Sequence, residues 1–201
     1  KDLSKAAYII KDEKNICGAS AICEELPEAW GEKSTPVRYT DSNSNSKGTV
    51  VFAGSLTPQT AAQVRYLEEK GINKVVLQST RLLSAESREK EVRKAVEYAA
   101  GIIDNGENVL IYASRETESV RRESEKLGIT EIEAGRNISL AFEMLAKCIL
   151  DVTGTDKYAV AGGETSDAVS RGLGVRAMRI WQEIEAGVPL MTADLENGKR
   201  L

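Results

Sequence analysis

Four short, uninterrupted apolar runs alternate with helical segments after residue 48, and this order limits the fold more than any other feature of the chain. The runs span residues 49–53, 74–78, 108–113 and 158–161. Apolar runs without polar alternation are typical of strands that are buried on both faces. Strands that alternate with helices form a mostly parallel sheet. We therefore predict a Rossmann-like α/β fold of three layers, with helices on both faces of the sheet.

Capping residues and helical periodicity place the helices between these strands. Thr57 and Pro58 predict a helix start, and Ser84 predicts the start of a longer helix that ends near Asp104. A strongly amphipathic helix is predicted at residues 135–152, with its apolar face toward the core.

The two ends of the chain carry further predicted elements. Residues 6–10 fit a strand or a helix, and residues 18–30 predict a short helix that ends near Pro27. Residues 176–184 predict a fifth strand, and a sixth strand follows with a hairpin turn at residues 196–198.

A polar stretch divides the chain in two. The sequence between Asp41 and Gly48 is rich in serine and asparagine, a composition that cannot bury a core. We place a domain boundary there, between residues 1–47 and residues 48–201. Because the chain starts without methionine and stops as its last hairpin begins to return, we expect a fragment of a longer parent.

The composition excludes several classes of function. There is no histidine, which removes Ser-His-Asp catalysis and histidine metal sites from this chain. The 3 cysteines form no Cys-x-x-Cys pair, so we expect reduced thiols in a cytoplasmic protein. A net charge of −4 without a long basic run argues against a nucleic-acid partner. No apolar run approaches the roughly 20 residues that span a bilayer, so we expect no membrane segment.

A double-glycine turn between a strand and a helix is the most informative local pattern. Gly162 and Gly163 follow the last apolar run, and Glu164 and Thr165 begin the next helix. Backbone N–H groups and the helix dipole favour a phosphate at such a turn. The alternative is a glycine pair that serves packing alone.

Two other loops should lie at the same edge of the sheet, after the first and third strands. Residues 54–57 and 113–116 are rich in small or hydroxyl side chains, and ligands of parallel sheets bind at the C-terminal ends of strands. The dinucleotide fingerprint and the Walker A pattern are absent. The residues alone thus indicate an α/β domain with a phosphate-binding edge.

Several segments resemble the C-terminal domain of the four-carbon acid sugar kinases, the former DUF1537 group. Residues 54–63 resemble the family's GSxSPxTxxQ opening, and residues 160–169 its GG[DE]T nucleotide loop. Residues 173–175 and 183–190 are similar to its LG[IV] and EIxxGVP segments, in the family's order. A looser similarity at residues 18–23 implies that residues 1–47 are the end of the substrate-binding domain plus a linker, followed by an incomplete nucleotide-binding domain.

The resemblance implies ATP-dependent phosphorylation of a small four-carbon acid sugar such as threonate or erythronate. It assigns ATP contacts to Ser55, Gly162, Gly163, Glu164 and Thr165. Because a carboxylate beside a phosphate repels it unless a cation intervenes, Glu164 is also the candidate ligand for Mg²⁺. The alternative is that Glu164 only favours the helix N-terminus electrostatically.

The chain departs from the family pattern at both ends. A glycine-rich K-[SA]-G-x-F-G segment and most of the N-terminal domain, where the catalytic base is expected, are absent from this sequence. We therefore expect the chain alone to be inactive. A non-catalytic ligand-binding or regulatory module and a different α/β enzyme for another phosphorylated ligand are the alternatives. A homo-oligomer is compatible with each of them.

Overall fold

The computed structural model describes residues 2–32, 47–54, 57–114, 116–185 and 187–201. The polar stretch that predicts a linker lies mostly outside these residues. In the part of the chain that is described, no helix has the length and apolar character needed to cross a membrane. In chain order the elements are α1 (Asp2–Ile10), α2 (Ser20–Ala29), β1 (Val50–Ala53), α3 (Pro58–Glu69), β2 (Asn73–Leu77), a 3₁₀ turn (Ser79–Leu82), α4 (Ala85–Asp104), β3 (Val109–Ala113), α5 (Thr117–Leu127), α6 (Glu131–Thr153), β4 (Tyr158–Ala161), α7 (Gly163–Leu173), β5 (Val175–Glu185) and β6 (Val188–Leu195).

These elements belong to two compact units. The smaller unit comprises Lys1–Asp41 and Arg179–Thr192, and the larger comprises Ser42–Met178 and Ala193–Leu201.

A parallel sheet of four strands, in the order β2-β3-β1-β4, forms the centre of the larger unit. All of its strand pairs are parallel. Each strand lies within one residue of a predicted apolar run, which confirms the predicted strands. β1 is central: Phe52 lies opposite Ile111 of β3 and Val160 of β4.

Helices cover both faces of this sheet. α3 packs on one face, where its Val64 contacts Ala53 and Leu110. α4, α6 and α7 cover the other face, and there the buried ring of Phe52 meets Phe142 of α6 edge-on, with ring centroids 6.0 Å apart. The predicted three-layer α/β fold is confirmed.

Side-chain caps explain where the helices begin. Thr57 and Ser84 each accept a hydrogen bond from the backbone N–H three residues on, as their sequence positions predict. α6 begins four residues before its predicted start, because Thr130 and Glu133 form a capping box. The Thr130 hydroxyl accepts from the Glu133 N–H at 3.2 Å, and the Glu133 carboxylate accepts from the Thr130 N–H at 2.8 Å.

The predicted fifth strand is present as β5, but it does not join the parallel sheet. β5 pairs with β6 in a separate two-stranded sheet. Their connection includes Gly187, whose φ of 76° suits a tight turn. The predicted hairpin turn after β6 is confirmed, since the Leu195 N–H donates to the Lys199 carbonyl at 2.8 Å.

In the smaller unit, the structure decides between the two alternatives for residues 6–10 and differs from the prediction for the end of α2. Residues 6–10 belong to helix α1 rather than to a strand. The predicted end of α2 near Pro27 is wrong, because the helix continues to Ala29 with the proline inside it. Pro27 disfavours the helix but does not end it here, since the Trp30 N–H still donates to the Leu26 carbonyl at 2.9 Å.

Candidate functional site

A cleft of about 400 Å³ lies at the C-terminal edge of the parallel sheet in the larger unit. This volume is within the range of small-molecule sites. Its walls come from the loops after all four strands and from helices α5 and α6. The lining residues are Gly54, Ser79, Ala113, Ser114, Glu116, Thr117, Val120, Gly135, Ile138, Ser139, Phe142, Gly162, Gly163, Glu164 and Thr165.

The sheet topology explains why the cleft is there. β1 leads into α3 on one face of the sheet, whereas its neighbour β3 leads through α5 to α6 on the opposite face. Where neighbouring parallel strands send their connections to opposite faces, a crevice opens at their C-terminal ends. Gly54 and Ser114 follow these two strands directly and line the cleft.

The double-glycine turn has the geometry that the sequence suggests. Gly162 has φ 112° and ψ 136°, a conformation that side chains disfavour. α7 starts at the next residue, and the Ser166 N–H donates to the Gly162 carbonyl at 2.9 Å. Among the described residues no side chain caps α7. Its first turn therefore brings backbone N–H groups and the positive end of the helix dipole to the cleft.

The predicted site residues in this turn come together at the cleft. Gly163 and Glu164 are exposed, whereas Thr165 is buried. A Cβ added to Gly163 would meet nothing within 4 Å, so glycine is not needed there for packing. Gly54 is different, because a Cβ on it would lie 2.4 Å from Thr165 Oγ1 and 3.0 Å from the Phe142 ring. The predicted contact residue Ser55 lies outside the described residues.

Sequence reasoning missed Ser79, which lines the cleft and links the ends of β2 and β3. Its N–H donates to Ser114 Oγ at 3.1 Å, and its hydroxyl donates to the Ser114 carbonyl at 2.6 Å. Ser79 is 2% exposed. The sequence could have identified Ser79, because it directly follows an apolar run and ligands bind at the C-terminal ends of the strands of a parallel sheet.

The walls formed by α5 and α6 were also missed. The periodicity of α6 predicts that Ile138 and Phe142 face the core, and Phe142 is 1% exposed. Both side chains nevertheless also line the cleft, together with Gly135 and Val120. Helical periodicity identifies a buried face, but it does not tell which part of that face borders a cavity.

Among the described residues that line the cleft, two carry carboxylates, Glu116 and Glu164. In the described part of the chain, no group of three or more metal-ligating side chains lies together. A cation here would therefore need phosphate oxygens and water beside a carboxylate, which is how Mg²⁺ commonly binds in nucleotide sites.

Asp167, close to Glu164 on α7, is occupied by ion pairing. It binds Arg171, which also donates to Glu143 of α6 at 2.9 Å. The hydrogen bonds to Glu143 and then to Asp167 raise the pKa of Arg171. Asp167 is not among the described residues that line the cleft.

Comparison with known proteins identifies relatives of this chain. Residues 50–200 match the model of a family described as the nucleotide-binding C-terminal domain. A 3-oxo-tetronate kinase of Cupriavidus necator is 35% identical over 178 residues, covering 87% of this chain and 39% of the relative. A 3-oxo-tetronate kinase of Pseudomonas savastanoi pv. phaseolicola is 36% identical over 192 residues, covering 94% and 42%. The chain thus spans about two fifths of the length of the curated relatives it matches.

A solved structure shares the fold. A Haemophilus influenzae protein of the DUF1537 family matches with a TM-score of 0.66 and 23% sequence identity, covering 95% of this chain and 44% of that protein. At this level of identity the match supports the architecture alone.

Proposed function

We propose that this chain, which belongs to the nucleotide-binding C-terminal domain family of the four-carbon acid sugar kinases, binds ATP as the nucleotide-binding portion of such a kinase. One observation carries the proposal: the first turn of α7 has no side-chain cap and faces a cleft at the edge of a parallel sheet. Relatives named 3-oxo-tetronate kinases support a small four-carbon acid sugar as the phosphate acceptor.

The phosphates of ATP would lie on the Gly162 turn. The N–H groups of Gly163, Glu164 and Thr165 would donate to phosphate oxygens, and the dipole of α7 would favour their negative charge. Ser55 stays a proposed phosphate contact, supported by its position directly after Gly54 at the cleft. Phosphoryl transfer depends mainly on positioning and charge neutralisation, which this set of donors can supply.

Glu164 would hold Mg²⁺ beside the phosphates. It is exposed at the first turn of α7, where its carboxylate would otherwise face phosphate charge. A Mg²⁺ ion bound to phosphate oxygens, water and this one carboxylate would offset that repulsion.

The remaining parts of the reaction would come from other portions of a longer protein. We propose that residues 1–47 form the end of a substrate-binding domain plus a linker and that residues 48–201 form the nucleotide-binding domain, so that the chain alone binds ATP without transferring phosphate. The catalytic base and the acid sugar site would lie in the preceding domain. The cytoplasm is the compartment expected for such a kinase.

Calorimetry of ATP binding, with and without Mg²⁺, tests the proposal on this chain and on Gly163→Val. Since a Cβ at Gly163 meets open space, valine should be tolerated by the fold and should block the approach of phosphate to the turn. The matched control is Gly101→Val, because Gly101 is an exposed α4 residue whose Cβ also meets nothing within 4 Å.

We expect the parent chain and Gly101→Val to bind ATP and Gly163→Val to bind at least about tenfold more weakly, a change of about 1.4 kcal/mol. Absence of ATP binding by the parent chain would overturn the proposal and favour a non-catalytic module.

A further inference from the structure

Gly135 lies inside α6 without a backbone or packing reason for glycine. It is the fifth residue of that helix, and its φ is not positive. A Cβ added there would meet nothing within 4 Å. Glycine inside a helix is less stable than alanine would be, because it loses more backbone freedom on folding. Because Gly135 has no side chain, the helix backbone is uncovered at this part of the cleft wall.

The two ends of the cleft lie at different positions along α6. Phe142 marks one end, since both its ring and Thr165 of α7 approach Gly54. Gly135 lies seven residues earlier, which is about 10 Å along the helix axis at the usual rise per residue. A ligand with its phosphates on the first turn of α7 would therefore extend along α6 toward Gly135.

Apolar side chains border the cleft near Gly135. Ile138 lies one turn further along α6 on the same face, and Val120 of α5 borders the same cleft. No lysine or arginine is among the described residues that line it. An acid sugar carboxylate or a phosphate would meet no lysine or arginine among these described residues, whereas an uncharged flat ring would contact apolar side chains and a bare backbone.

We propose that the base of the nucleotide lies against Gly135 and Ile138, with its phosphates on the first turn of α7. The inference depends on ATP being the ligand of the cleft, as proposed above. It makes Gly135 a specificity-determining residue, because a side chain at this position would occupy the space of the ring.

Affinities of ATP and of inorganic triphosphate for Gly135→Leu test this assignment. Gly101→Leu is the matched control, since Gly101 is also a glycine inside a helix whose Cβ meets nothing within 4 Å. Both substitutions replace glycine by a good helix former, so thermal unfolding should show that both variants fold at least as well as the parent.

We expect Gly135→Leu to weaken ATP binding at least tenfold and to leave triphosphate binding within twofold of the parent, while Gly101→Leu changes neither affinity. Unchanged ATP affinity in Gly135→Leu would overturn the inference and leave the proposed function standing. An equal loss of ATP and triphosphate would also overturn it, because the phosphates would then lie at the Gly135 end. A parent chain that binds neither ligand would refute the proposed function, and this inference with it.

Discussion

A Cβ built on Gly172 of α7 would lie 2.1 Å from the carbonyl oxygen of Glu143 on α6. The two helices therefore cross at a point that leaves no room for a side chain. This crossing matters for the cleft, because α6 forms one wall and the first turn of α7 forms another. The close approach at Gly172 thus sets the position of the proposed phosphate site relative to α6.

Gly172→Ala should destabilise the protein and weaken ATP binding together. The methyl group must push apart two backbones rather than a flexible side chain, and such overpacking costs about 1–3 kcal/mol. Urea denaturation would measure the loss in the free energy of unfolding. Gly101→Ala is the control, since the same change on the open surface of α4 should stabilise the protein by up to about 1 kcal/mol. Equal stability of Gly172→Ala and the parent would contradict the crossing described here.

A buried hydrogen-bond network joins α4, α6 and the 3₁₀ turn that carries Ser79. Arg88 is 7% exposed, and its Nε is buried without a hydrogen-bond partner among the described residues. One of its terminal nitrogens donates to the Asn137 side-chain oxygen and to the Leu82 carbonyl, each at 3.0 Å. The Asn137 amide in turn donates to the Leu83 carbonyl at 2.9 Å.

Asn137→Ala should lower the free energy of unfolding by about 2–3 kcal/mol, because it leaves a buried guanidinium and a backbone carbonyl with fewer partners. Asn73→Ala is the control: Asn73 donates to Glu107 at 2.8 Å on the exposed surface, and its loss should change stability by no more than about 0.5 kcal/mol. Chemical denaturation of both variants would measure the difference. Similar curves for the two would show that the buried network contributes no more than the exposed bond.

The sequence predicts the structural features that neighbouring residues determine. It leaves open the features that depend on contacts between distant segments. The four strands follow from apolar runs, and the Gly162 turn follows from a local pattern. The strand order β2-β3-β1-β4 and the choice of α6 as a cleft wall depend on crossovers between distant segments, which periodicity does not encode. β5 illustrates the same limit, because its residues predict a strand but not the sheet that it joins.

Glu164→Gln should remove the Mg²⁺ dependence of ATP binding. If Glu164 holds the cation, Mg²⁺ strengthens ATP binding by the parent chain and has no such effect on the variant. Binding without Mg²⁺ should instead be tighter in Glu164→Gln, because a negative charge beside the phosphates is gone.

Asp167→Asn is the control for Glu164, since Asp167 lies on the same helix and is ion-paired with Arg171. Calorimetric titrations at matched ionic strength would separate the two residues. A Mg²⁺ response that is the same in Glu164→Gln as in the parent would assign Glu164 a purely electrostatic role at the helix N-terminus.

Tyr158→Phe should leave the protein as stable as the parent at pH 7, or more stable by up to about 1 kcal/mol, and clearly more stable at alkaline pH. The Tyr158 hydroxyl is buried without a hydrogen-bond partner among the described residues. Burial first, and then the charges of Asp156 and Asp151, raise the pKa of Tyr158 above its ordinary range.

In the unfolded chain a tyrosine loses its proton near pH 10. Since only the unfolded state releases that proton, the parent should lose stability as the pH rises past about 10, whereas the variant lacks this loss. Denaturation curves between pH 7 and pH 11 would measure it. Tyr98→Phe, at a tyrosine that is 59% exposed, should follow the parent throughout. Curves for Tyr158→Phe and the parent that coincide at pH 11 would contradict the prediction.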